Sequence, residues 1–379
     1  MSTPHELLEH QAVVVRDGRI LDILPAEIAR ARYAAPVLLQ RPAHLLMPGM
    51  INSHADAAMS LLRGAQAPTA ERAHAGVLLA IAEMLRAGIT CFSDRYFFPR
   101  ETARAAAEQG IRAVVGMPVA EAHNPWAGGS AQALSQSLSF RDEYGGHPLV
   151  STAFAPHAAN DLSDATLSRL ITLADELDAG IMIDVHASTH EIDDCVAKHG
   201  ARPLERLWKL GLLSPALNAA HMARASDADI ALAQRTGISI SVCLQGDLRG
   251  GNGLAPFEAF AAAGIRLGLG SAGLASMTHD VWGEMRLAGL VSCSADALYA
   301  ATRGGAAALG LDHEIGSLEP GKWADLCCLD LSVPAAQPLR DPLMQIVFNG
   351  GRDLVSDVWV AGRQLLSAGE LTRPPAVAA

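Results

Sequence analysis

Short apolar runs alternate along this chain with longer stretches whose apolar positions follow a helical spacing. The runs at 45–53, 89–94, 112–118, 150–155, 180–186, 217–221, 238–243 and 265–270 read as strands. Helical patterns at 73–87, 167–177, 203–210, 227–235 and 257–264 separate them. Strand and helix in alternation favour parallel strands joined by crossover helices, so the predicted fold is α/β, a (β/α)8 TIM barrel. In that architecture chemistry sits at the C-terminal ends of the strands, and His54, His157, His186 and His221 all fall at or just beyond such ends. Outside the barrel, 12–23 and 316–371 read as short strands with turns at Asp17-Gly18, Pro320-Gly321 and Ala361-Gly362. They predict one small β-sandwich built from both termini, 1–45 with 312–379, around a barrel of 46–311. The Pro/Ala-rich end, 373–379, reads as frayed.

Composition narrows the class. With 379 residues, half of them apolar, the chain can bury one large core and a smaller one, and no apolar run is long enough to cross a bilayer. The first residues are polar and lack the parts of a signal peptide, so a cytoplasmic protein is expected. A net charge of -11 without a Lys/Arg cluster argues against nucleic-acid or anionic-membrane partners and leaves a small molecule as the default ligand. Six cysteines without CxxC spacing lie in apolar stretches and read as reduced packing residues with no metal role. The run Gly268 to Gly273 satisfies GxGxxG formally, but no dinucleotide-binding unit surrounds it.

The segment from Met47-Pro48-Gly49 through His54-Ala55-Asp56 to Arg63-Gly64 carries the most chemistry. With Arg95-Tyr96-Phe97-Phe98-Pro99, Ala155-Pro156-His157-Ala158, Gly283-Glu284-Met285-Arg286 and Gly316 to Lys322, it resembles, in the same order, the chlorohydrolase and methylthioadenosine/adenosylhomocysteine deaminase group of amidohydrolases. The resemblance covers nearly the whole chain. It implies a metal-dependent hydrolase in which a first-strand His-x-His grips zinc, a fifth-strand His-x-x-Glu-Thr adds a ligand and a proton shuttle, a sixth-strand His holds the attacking water, and Gly-Thr-Asp-Gly supplies a ligand that is also the base.

At those positions this chain departs. His-x-His is His54-Ala55-Asp56, the fifth strand reads Asp184-Val185-His186-Ala187-Ser188, and the eighth reads Gly270-Ser271-Ala272-Gly273. Only His54 and His221 persist. Alanine neither ligates nor takes a proton, so Ala187 and Ala272 remove the shuttle and the base. The family's substrate-covering stretch after the first strand is also shortened, to 65–72, which predicts an open mouth or one closed by a partner subunit; a homodimer is expected.

Two carboxylates, Asp56 and Asp184, remain at the mouth. They cannot both stay ionised cheaply without a cation: a metal or cationic substrate sits there, or they share a proton. Three readings follow. The favoured one is a repurposed enzyme acting on a small nitrogen-containing heterocycle or amine without a metal or other cofactor. In it Asp56 and Asp184 are the acid/base pair, and His54 and His221 orient or donate. The second is a metal-dependent deaminase or hydrolase with one divalent ion, Zn or Fe, on His54, Asp56, Asp184 and His221. The third is a catalytically inactive binding or regulatory protein. His157, Arg63, Arg249 and His186 are the candidate substrate contacts, whereas His190 and His279 have no motif role.

Overall fold

Eight parallel strands close into a barrel: β1 (Met50–Ala55), β2 (Ile89–Asp94), β3 (Arg112–Val119), β4 (Val150–Pro156), β5 (Gly180–Val185), β6 (Leu217–His221), β7 (Ser239–Val242) and β8 (Arg266–Leu269), each paired with its sequence neighbour. The computed structural model describes residues 7–62, 69–272 and 278–374. Every residue of β1, β2 and β3 is buried, because helices cover the outside and side chains fill the inside. That two-sided burial makes these strands read as continuous apolar runs rather than as alternating ones. Three of the helices between them start on hydroxyl caps: Ser163, Ser188 and Ser226 accept from the backbone N–H groups of Thr166, Glu191 and Asp229.

One predicted element is two. The run at 45–53 splits at Gly49 into His44–Pro48, which joins an antiparallel sheet, and β1 of the barrel. Gly49 donates its N–H to the Asp325 carbonyl at 2.9 Å. A Cβ there would lie 2.1 Å from Thr90 Oγ1, so only glycine lets the chain step from one sheet to the other.

Closure of the barrel brings β8 back to β1. Ser53 Oγ donates to the Leu269 carbonyl (3.0 Å), Ser271 N to Asn52 Oδ1 (3.0 Å) and Ala272 N to the His54 carbonyl (3.1 Å). Gly270 makes the approach possible, since a Cβ at that position would stand 2.5 Å from His54 Cβ and 3.0 Å from Cys243 Sγ. Gly270→Ala is therefore expected to push His54 off its place and lower the urea midpoint by the equivalent of about 1 to 3 kcal/mol, the usual range for overpacking a dense core.

The two ends of the chain supply the remaining sheets. Five antiparallel strands lie in the order Glu370–Leu371, Arg363–Ser367, Val355–Val360, Leu326–Asp330, His44–Pro48. A separate hairpin pairs Gln11–Arg16 with Arg19–Pro25. Its turn residues Asp17 and Gly18 have φ of 51° and 77°, both left-handed as a tight two-residue hairpin requires. Arg19 ties the hairpin down, its guanidinium 3.9 Å from the Trp323 ring centre. Arg112 of β3 clasps Asp325 with two hydrogen bonds (2.8 and 3.2 Å), joining barrel to sheet through a buried ion pair. All six cysteines are free and five are buried. Among the described residues no helix is long and apolar enough to cross a membrane.

Candidate active site

The C-terminal ends of the strands gather a compact set of charged and aromatic side chains. β1 delivers His54, buried, with Asp56 just beyond the strand and closer to solvent. β5 delivers Asp184, also buried. β6 ends in His221, whose Nδ1 donates to Asp247 Oδ1 at 2.8 Å and whose Nε2 lies 3.6 Å from Asp184 Oδ2. The His221 and His54 rings meet edge to face, 5.2 Å between centres, and His54 Nε2 is 3.7 Å from Asp184 Oδ1. Neither of those last two atoms has a hydrogen-bond partner, although both are buried.

The residue that organises the group is Arg95, immediately after β2. Its Nη2 donates to Asp184 Oδ2 at 2.5 Å, its Nη1 to the His157 carbonyl at 3.3 Å, and its Nε lies 4.0 Å from Asp56 Oδ1. The side chain is only 8% exposed. A guanidinium thus stands between the two carboxylates that the sequence left without a counter-ion.

The charges follow from these neighbours. Burial alone would raise the Asp184 carboxyl, but Arg95, His221 and His54 outweigh it and hold it down to about 2. For His221, burial opposes the charge, yet Asp184 and Asp247 lift the imidazole to about 9. His54 goes the other way: burial and then Arg95 keep it well below the usual histidine range, and it is neutral. Near pH 7 the mouth therefore contains an Arg95–Asp184 ion pair, an imidazolium at His221 and a neutral imidazole at His54. Burial pushes the Cys243 thiol well up, so it is not a thiolate on its own.

His54, Asp56, Asp184 and His221, read from the sequence as the centre, are brought together around Arg95. The proposed substrate contacts fare differently. His157 is exposed beside the mouth, with Nδ1 3.2 Å from Asp161 Oδ2. Arg249 is exposed at the end of the short helix Leu244–Arg249. Arg63 lies outside the described residues. His186 needs correction: it is fully buried, its Nε2 accepts from Leu204 N (3.2 Å) and its Nδ1 is 3.4 Å from Asp229 Oδ2, so it fastens helices and does not face a substrate. β5 stops at Val185 and His186 has φ of 54°, which turns its side chain off the face that Asp184 occupies. The sequence also gave no role to Arg95, Asp247 or Cys243. Arg95 carried one usable signal, a cationic residue directly after a strand end; Asp247, 26 positions from His221, carried none.

Glu191, the first carboxylate after Ala187, accepts from the backbone N–H groups of His186 (3.1 Å) and Ala187 (2.7 Å), so it caps a helix. Ala272, at the end of the β8 segment, holds a left-handed φ of 53° and presents a methyl group.

The amidohydrolase family model matches residues 45–365, which span the whole barrel and most of the antiparallel sheet. The chain belongs to the amidohydrolase family. A 5-methylthioadenosine/S-adenosylhomocysteine deaminase of Teredinibacter turnerae is 36% identical over 97% of this chain and 90% of its own length. A protein of the same description from Thermodesulfovibrio yellowstonii is 32% identical over 96% and 90%. The zinc-bound structure of an adenosine deaminase from Xanthomonas campestris superposes with a TM-score of 0.95 at 36% identity, covering 97% of this chain and 90% of that one. A mutant of atrazine chlorohydrolase TrzN of Arthrobacter aurescens, complexed with zinc and atraton, shares the fold, with a TM-score of 0.89 at 21% identity over 96% and 92%.

The family implies a metal, and the donors in this chain test that implication. His54, His221 and Cys243 place ligand atoms within 4.8 Å of one another, and Asp184 lies beside both histidines. The cation position, however, is contested by Arg95, which already neutralises Asp184 at hydrogen-bond distance. A divalent ion here would face that guanidinium inside a buried mouth, where like charges repel strongly. With Arg95 in place, the residues do not fit the family's metal.

Proposed function

We propose that this amidohydrolase acts on a small nitrogen-containing heterocycle or amine, of the purine-nucleoside kind named for its relatives, by proton transfer from protein side chains and without a metal. The observation that carries this reading is the His221–Asp247 dyad. Asp247 fixes Nδ1, leaving Nε2 as the protonated face toward the mouth, which is how a general acid is held. In this reading His221 gives its proton to a ring or exocyclic nitrogen, a role first assigned to the aspartates. Asp184, kept ionised by Arg95, holds the substrate's cationic or N–H edge; Asp56, at the more open edge, takes up a proton. His54, neutral, accepts or donates a hydrogen bond to the bound ring. The step is hydrolytic, isomerising or eliminating, and with Ala187 and Ala272 in place of the family's shuttle and base any water it uses is activated by Asp56.

The same two alanines favour a second reading, a binding or regulatory protein with no turnover. Thermal shift against a panel of purine nucleosides, triazines and small amines, followed by chromatography of each binder after incubation, separates the two. A ligand that binds and is converted supports the enzyme; one that binds and is recovered unchanged supports the second reading; no stabilising ligand in the panel counts against both. Whichever holds, ammonia release from methylthioadenosine or adenosylhomocysteine is expected to stay at the no-enzyme background in a coupled assay. Turnover at the ordinary enzyme rate of roughly 1 per second or more would overturn the assignment of the alanines.

A further inference from the structure

We propose that Arg95 is a resident cation that has taken the place of a divalent ion, and that removing its charge opens a metal site on His54, Asp184 and His221. Three observations converge. First, the guanidinium spans the two carboxylates of the mouth, 2.5 Å from Asp184 and 4.0 Å from Asp56, which is what a bridging cation does. Second, His54 Nε2 and Asp184 Oδ1 are buried, 3.7 Å apart and without hydrogen-bond partners. Buried polar atoms are rarely left in that state, and these two face each other as donors to one ion would. Third, His221 has its Nδ1 occupied by Asp247 and keeps Nε2 beside Asp184, the second-sphere carboxylate arrangement that orients an imidazole toward a metal. The donors for an ion are assembled, and the charge that excludes it comes from a single side chain on a different strand end.

The inference rests on the metal-free reading of the site, and its test tells the two apart. Wild type, Arg95→Met and Arg95→Lys are stripped with chelator, dialysed against Co2+ or Zn2+, and measured for bound metal and for the shift in melting temperature that the metal produces. Wild type and Arg95→Lys, which both keep a cation, are expected to retain far less than one equivalent and to show no shift. Arg95→Met is expected to hold about one equivalent of ion, to bind it at least tenfold more tightly than wild type, and to melt higher with metal than without. Should Arg95→Met fold poorly alone, with Asp184 unpaired, refolding in the presence of the ion is expected to restore it. Tight metal in wild type overturns both this inference and the metal-free reading. Metal binding in neither wild type nor Arg95→Met, or equally in Arg95→Lys and Arg95→Met, overturns this inference alone. Metal gained by Arg95→Met without any converted substrate for wild type leaves the inference standing and removes the proposed turnover.

Discussion

Asp184→Asn should melt well below wild type, and Asp56→Asn should not. The two acids look equivalent in the sequence but stand in different surroundings. Asp184 is buried and paired with an equally buried guanidinium at 2.5 Å, whereas Asp56 is 22% exposed and 4.0 Å from the same side chain. Converting Asp184 to the amide leaves Arg95 without its close partner in a low-dielectric site, a loss of about 3 to 5 kcal/mol, which for a chain of this length lowers the melting temperature by on the order of 5 °C. Removing the Asp56 charge alters a loose, half-solvated contact and costs about 1 kcal/mol or less. Differential scanning calorimetry of the two variants beside wild type reads this out. An Asp184→Asn protein as stable as wild type, or more so, would mean that the pair is a strain kept for chemistry and not a support of the fold.

A second large effect lies on the alkaline side. The His221 imidazole is raised to about 9 in the folded chain, from an ordinary value of about 6.5. A raised base stabilises the fold fully below its unfolded value, and that support is lost as pH climbs through the folded one. Through His221 alone stability should therefore fall by roughly 3 kcal/mol between about pH 6.5 and 9, visible as a falling urea midpoint, and His221→Asn should make the fall shallower. The Asp184 contribution runs at the opposite end: its carboxyl is depressed to about 2, so its support is complete above about 4 and disappears only on acidification toward 2. It leaves the alkaline window untouched. A flat wild-type profile from neutral to pH 9 would show that His221 is not an imidazolium, and the proton donor of the proposed chemistry would be lost with it.

The barrel was legible in the sequence because two-sided burial makes its strands continuous apolar runs, and each of the eight appears where that pattern placed it. The split at Gly49 was not, since a run of apolar residues does not show that its first half pairs with Leu326–Asp330 and its second with the barrel. At the mouth, strand ends located His54 and His221, the family pattern placed Asp184 beside them, and residue chemistry asked for a cation or a shared proton. It did not show which. Arg95 sits in a stretch that resembles the family closely, and nothing in a linear sequence tells that its side chain crosses the mouth to a strand 89 positions away. His186 misled for a related reason: the two-residue period puts it on the face of Asp184 only while the strand lasts, and the strand ends one residue sooner.

The left-handed backbone at Ala272 has a consequence for the history of the site. Alanine gains nothing from that conformation, which disfavours a Cβ by about 1 to 2 kcal/mol, while aspartate and asparagine enter it far more readily. The family pattern places an aspartate there. The main chain at Ala272 thus keeps a posture that suits the aspartate of the family pattern better than the alanine that now occupies it, so the backbone preserves a shape that its present side chain does not call for.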